Sequence, residues 1–154
     1  MLIAWTVCAA LVITCFWLHF TALKWIYFSV QKEVLLFRRP LLVAILGAFV
    51  AHILEVLMFA GGYFILEHSA GAGSLAGAIH DSGPHFPDYF YFSLASYSTL
   101  GFGDVVPQGP LRIVAGVEAL VGLVLVAWTA SFSFLMTERL WGYFEAVPTR
   151  DDRE

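Results

Sequence analysis

Residues Thr99-Leu100-Gly101-Phe102-Gly103-Asp104 alternate small or flexible positions with large apolar ones. Glycine adopts positive φ without steric cost, so a strand of this pattern can turn successive carbonyls to one side. The bulky side chains of Leu100 and Phe102 then point the other way and wedge the backbone from behind. Four such strands around an axis make stacked rings of oxygens that replace the hydration shell of a cation, and the Thr99 hydroxyls add the innermost ring. The chemistry implied is reversible ligation of a dehydrated cation, with no cofactor and no small-molecule substrate.

Such backbone needs a particular setting. In contact with lipid its carbonyls would be unsatisfied, so it is tolerated at membrane depth only where it lines a cavity. The preceding segment, Asp88 to Ser98, supplies that setting. It is apolar and aromatic, with Pro87 before it and Asp88 as the expected N-cap. It is too short to cross a bilayer, which takes about 20 helical residues. We read it as a re-entrant half-helix whose C-terminal carbonyls, a negative dipole end, face the cation.

Three apolar stretches are long enough to span: Leu2 to about Leu23, Leu41 to about Leu66, and Leu111 to about Thr137. Composition agrees, with 60% hydrophobic, 16% aromatic and 13% charged residues, because a small soluble domain cannot bury that much apolar surface. The first stretch lacks a preceding positive charge and is too long for a signal peptide, so it reads as a true span. A net charge of −4 with no basic face excludes nucleic acid as a partner. Lys24, Lys32, Arg38 and Arg39 lie between the first two spans, and Arg139, Arg150 and Arg153 follow the third. Only Arg112 lies on the other side. The positive-inside rule then makes the linker and the C-terminal tail cytoplasmic and the N-terminus external, in a multi-pass protein of the cell membrane.

Segment 24–39 mixes basic and aromatic residues and is expected to continue as an amphipathic helix along the inner interface. Residues 69–74 read as a flexible stretch without fold. Cys8 and Cys15 share a helix face about 10 Å apart, too far for a disulfide. The expected organisation is an N-terminal helix and linker (1–40), a pore module (41–138) and a short tail (139–154).

Residues 88 to 137 resemble the pore module of potassium channels: pore helix, filter, inner helix. All six positions from Thr99 to Asp104 match that family's filter pattern, and Phe102 in place of tyrosine is similar to the second filter of two-pore-domain potassium channels. The resemblance implies an all-α membrane protein with three transmembrane helices, a re-entrant pore helix and a filter loop. It also implies a homotetramer with bound potassium at the carbonyls of Thr99, Leu100, Gly101, Phe102 and Gly103. Asp104 and Asp88 would ring the outer mouth and concentrate cations. Gly122 falls at the family's hinge spacing, and Leu123, Val126, Ala130 and Phe134 would line the inner vestibule. In overall plan the chain is similar to small bacterial proteins that pair an extra N-terminal span with an ion-channel domain.

Two departures stand out. The pore-helix glutamate of many members is Ala95 here, and Phe102 lacks the tyrosine hydroxyl. Glu118 is the candidate replacement for the missing carboxylate, bracing Asp104, with Tyr97 and Ser98 as its expected partners at the end of the pore helix. His52 and Glu55, one turn apart in mid-span, are an intramembrane polar pair and functional candidates by default, against a purely packing role. His68, His80 and His85 are candidates for sensing external pH.

A non-selective cation pore is the nearest alternative. Gly101-Phe102-Gly103-Asp104 also fits the Gly-x-Gly-Asp pattern of intramembrane aspartyl proteases, but that chemistry needs a second carboxylate sharing a proton. Residues 41–66 contain no aspartate, so an enzyme is not expected. An accessory subunit lining no pore would need no intact filter. No span carries repeated arginines, so no fixed-charge voltage sensor is expected.

Overall fold

The computed structural model describes residues 1–33, 40–77 and 83–146. Arg38, Arg39, His80, Arg150, Arg153 and the end of segment 24–39 lie outside them. The architecture is mostly helical: α1 (Leu2–Glu33), α2 (Pro40–His68), α3 (Phe86–Tyr97) and α4 (Leu111–Ala146), with two short strands, β1 (Leu75–Gly77) and β2 (Val105–Pro107). Three helical stretches, Leu2–Val30, Leu41–His68 and Leu111–Arg139, are long and apolar enough to cross a membrane. α2 opens with Pro40, whose missing amide hydrogen costs nothing in a first turn.

α3 is the exception in length. Its 12 residues extend about 18 Å, against about 30 Å of hydrocarbon. It packs against α2 and α4, and α1 packs against the same two helices. The main core joins all four around Cys15, Phe59, Tyr63, Leu66, Tyr89, Phe92, Leu111 and Leu125, each at or near full burial. Cys8 and Cys15 are both free thiols.

A second core sits at the other end and corrects one expectation. α1 continues unbroken through Lys24 to Glu33. Leu23, Ile26 and Val30 pack there on Ala44, Ala48 and Met136. The stretch after Leu23 is therefore part of the bundle, because its apolar residues at helical spacing find partners on α2 and α4. Arg139 reinforces this end, donating to the Tyr27 hydroxyl at 2.5 Å with its guanidinium 5.5 Å from the ring centroid.

The loop after α2 also differs from expectation. Ala72 and Leu75 are buried. The Ala72 amide donates to the Leu66 carbonyl at 2.9 Å, and the Leu75 amide to the Glu67 carboxylate at 3.1 Å. β1 then pairs antiparallel with β2 in the register Leu75 with Pro107, Ala76 with Val106 and Gly77 with Val105. Small residues allow this stretch to lie close under its partner, where pairing across sequence satisfies its backbone.

Candidate functional site

The site grows from the two ends of α3. At its N-terminus the helix starts one turn earlier than expected. His85 is the N-cap and Pro87 lies within the first turn. Asp88 is therefore the third helical residue, not the cap, and its carboxylate accepts the His85 amide at 2.7 Å. An acidic group there also favours the positive end of the helix dipole.

At the C-terminus the helix stops because Thr99 takes a left-handed conformation, φ 59°. That stop position usually belongs to glycine, and a β-branched residue there is strained. Gly101 (φ 54°) and Gly103 (φ 80°) repeat it, while Leu100 and Phe102 between them do not. Positive φ at every second residue is the backbone alternation that points successive carbonyls to one side. The start of the segment hangs from α3: the Thr99 amide donates to the Ser96 carbonyl at 3.0 Å, and the Gly101 amide to Ala95 at 3.2 Å. Strain held in this way by a rigid neighbour clusters at functional sites.

Beyond the glycines, Asp104 is held by the Tyr91 hydroxyl, which donates at 2.7 Å, and by the Val105 amide at 3.0 Å. The Tyr91 bond keeps the Asp104 carboxyl below the usual aspartate range. The same bond raises the Tyr91 phenol above its ordinary value. Phe102 lies nearly parallel to the Tyr91 ring, centroids 6.3 Å apart. Within one chain Leu100 and Phe102 remain 62% and 65% exposed, so their own chain covers only a part of either side chain.

Glu118 has other partners than expected. Tyr63 donates to one oxygen and the Ser93 hydroxyl lies against the other, both at 2.5 Å. Neither Tyr97 nor Ser98 reaches it, and Asp104 is braced by Tyr91 instead. The reason is depth: Glu118 meets the middle of α3, one turn above Tyr97. Ser93 also lies 2.9 Å from the Val56 carbonyl. One hydroxyl hydrogen cannot serve two acceptors, so both contacts are satisfied together when the Glu118 carboxyl carries the second hydrogen.

Gly122 lies where α4 crosses the end of α3. A Cβ there would collide with the Tyr97 carbonyl. The missing side chain permits a close backbone approach, and α4 runs through Gly122 without a break. Leu123, Val126, Ala130 and Phe134 follow along α4 and are exposed.

The expected His52–Glu55 pair is present, Nδ1 to Oε2 at 3.1 Å, but it is part of a larger cluster. His19 of α1, fully buried, places Nδ1 2.8 Å from Glu55 Oε1. The Tyr97 hydroxyl donates to Glu55 Oε2 at 2.5 Å and lies 2.8 Å from His52 Nδ1. Thr129 of α4 sits 2.9 Å from His52 Nε2 and 3.3 Å from His19 Nε2. The sequence pairs His52 with Glu55 through their shared helix face. It gives no such signal for His19, a lone histidine in an apolar run. Of the outer histidines, His68 stacks on Phe64 with centroids 4.3 Å apart, and His85 caps α3.

The sequence pattern of the ion channel family matches residues 42–139, more than half of the chain, and the chain belongs to that family. No curated protein and no solved structure gives a match. The matched region runs from the start of α2 almost to the end of α4 and contains α3, the strained segment and both buried carboxyls.

Proposed function

We propose that the chain is one subunit of a homotetrameric potassium channel in which Thr99 to Gly103 form the selectivity filter. The observation that carries this is the positive φ at Thr99, Gly101 and Gly103, directly after a helix too short to cross the membrane. In this reading α3 is the re-entrant pore helix and one chain supplies a quarter of each oxygen ring. Asp104 and Asp88 face the outer mouth. The exposed stripe of Leu123, Val126, Ala130 and Phe134 lines the inner vestibule. Ions shed water against the carbonyls of residues 99–103 and advance by mutual repulsion. The N-terminus is external, the charged linker and tail are cytoplasmic, and the 41–138 module conducts without enzymatic chemistry.

The test is flux from liposomes under a potassium gradient, comparing potassium, rubidium and sodium. Potassium and rubidium should pass and sodium should be excluded; equal sodium and potassium flux would leave a non-selective cation pore. Gly103→Ala should abolish flux while native mass spectrometry still shows four chains, because a Cβ at φ 80° is strained even though the surrounding space is open. A conducting monomer or dimer would contradict the four-fold ring.

A further inference from the structure

His19, His52, Glu55, Tyr97 and Thr129 come from four different helices and bond only to one another through their polar atoms in the contacts above. Counting their hydrogens shows what the cluster lacks. Tyr97 donates its one hydroxyl hydrogen to Glu55 Oε2. His19 Nδ1 faces Glu55 Oε1, an acceptor, so it carries a hydrogen. His52 Nδ1 faces Glu55 Oε2 and a phenol oxygen whose hydrogen is already committed, so it carries one too. With neutral rings, both Nε2 atoms are then acceptors. Thr129 stands between them with a single hydroxyl hydrogen. One of the two Thr129 contacts is left without a hydrogen, and the cluster carries the unbalanced charge of Glu55 in a fully buried place.

One added proton removes both faults. On His52 Nε2 it donates to Thr129 Oγ1, and the Thr129 hydrogen donates to His19 Nε2. Both Thr129 contacts then hold one hydrogen each, and the imidazolium cancels the carboxylate. Moving the Nε2 hydrogen of His52 onto Thr129 while Thr129 passes its own hydrogen to His19 transfers the charge between rings and leaves Thr129 unchanged. The same hydrogen count is met with the proton on Glu55 Oε1, donated to His19 Nδ1, and the remaining hydrogen of His19 on Nε2. The proton belongs to the cluster, not to one residue.

We propose that His19, His52, Glu55 and Thr129 form an intramembrane proton-binding site for one exchangeable proton, coupled through Tyr97 to the end of the pore helix. The coupling rests on the filter reading above; the proton site does not. Tyr97 is two residues before Thr99. Its hydroxyl is a member of the cluster and its carbonyl abuts Gly122. Loss of the proton leaves Thr129 with one ring too many, which frees an α1 or α2 contact with α4. A second proton leaves an uncompensated buried positive charge.

The groups that face the cluster do not supply the missing proton. On α1 Cys15, a buried free thiol, acts electrostatically on Tyr97. On α4 Glu118 does the same and is engaged by Ser93 and Tyr63. α3 contributes Tyr97 itself, and among the described residues no lysine or arginine is paired with Glu55. His52 is the ring with an outlet, its side chain 16% exposed against 0% for His19 and Glu55.

The test uses the full chain in lipid nanodiscs with nitrogen-15 histidine, followed by NMR between about pH 5 and pH 8, the range in which histidines ordinarily change charge. His19 and His52 should share one proton and lose it in a single coupled step. In His19→Gln the remaining ring should titrate alone at a different pH. Potassium flux from liposomes, normalised to each variant's own maximum, should change about tenfold across the same range. Tyr97→Phe should flatten that change to less than about twofold while the NMR step persists.

Independent titration of the two rings, or no shared proton, would overturn the proposal. So would zinc ion alone shifting both ring signals at neutral pH, which would make the cluster a metal site. Selective flux that ignores pH overturns the coupling and leaves the channel intact. Absent flux at every pH with the NMR step in place instead overturns the filter reading and upholds the proton site.

Discussion

Glu55 and Glu118 are both fully buried, and both are bonded to the same short helix, yet they are held in opposite ways. Glu118 meets hydroxyls alone, from Tyr63 and Ser93. Glu55 meets two imidazoles and a phenol. A carboxyl among hydroxyls can be neutral and still satisfy every neighbour, whereas one between two histidines has a cation available to pair with. The difference teaches that the middle of α3 is fixed by a charge-neutral clasp, while its last turn is attached to a group that changes charge.

The largest effect that could break this comparison is Glu55→Ala. It strands two ring donors and the Tyr97 hydroxyl, so thermal unfolding in detergent should report a loss of about 3–5 kcal/mol, the cost of breaking a buried pair from one side. Glu118→Ala leaves the Tyr63 hydroxyl unpartnered while Ser93 keeps the Val56 carbonyl, and should cost about 1–3 kcal/mol. Equal losses would erase the distinction.

Gly122→Ala comes next. Its Cβ forces α4 off the Tyr97 carbonyl, and overpacking of this kind costs about 1–3 kcal/mol in the same assay. Glutamine substitution sharpens the contrast at lower amplitude. Glu118→Gln can donate to Ser93 and accept from Tyr63, and should stay within about 0.5 kcal/mol of the parent with its sodium-to-potassium permeability ratio unchanged. Glu55→Gln can keep the His19 contact only by moving that ring's hydrogen to Nε2, and it removes the carboxylate that balances the added proton, so it should fall clearly below the parent.

The smallest effect is at Asp104. Tyr91→Phe removes the bond that depresses its carboxyl, so carbon-13 NMR should show the pKa rising toward the ordinary aspartate value. The sign follows: a depressed folded-state pKa contributes stability above the unfolded value and loses it as pH falls through the folded one. The parent should therefore lose this contribution on acidification, and the variant should have little of it to lose.

The local features were legible. Runs of apolar residues between Arg39 and Glu67 or between Pro110 and Glu138 declare spans by composition, and two glycines at alternate positions announce an alternating backbone, to which the structure adds Thr99. What was hidden depended on distant partners. Residues 69–74 look like a loose loop until Leu75 to Gly77, directly after them, pair with Val105 to Pro107. His19 looks like an isolated polar residue until α2 sets Glu55 against it, and Tyr91 is one aromatic among many until the chain after Gly103 returns to its hydroxyl. Sequence spacing sets Glu118 against Tyr97 and Ser98, one turn below the Ser93 it meets, because spacing gives depth only to about a turn.

The contact between Gly122 and the Tyr97 carbonyl has a mechanical consequence. A point where two backbones touch, with no side chain to compress, is a fulcrum. Phe134 lies twelve residues further along α4, about 18 Å from that point at helical rise. A rigid tilt of about 10° around it sweeps Phe134 through about 3 Å while Gly122 itself hardly moves. The far end of α4 thus has a long lever arm and the strained segment after Tyr97 a short one, so a large excursion at one end becomes a fine adjustment at the other.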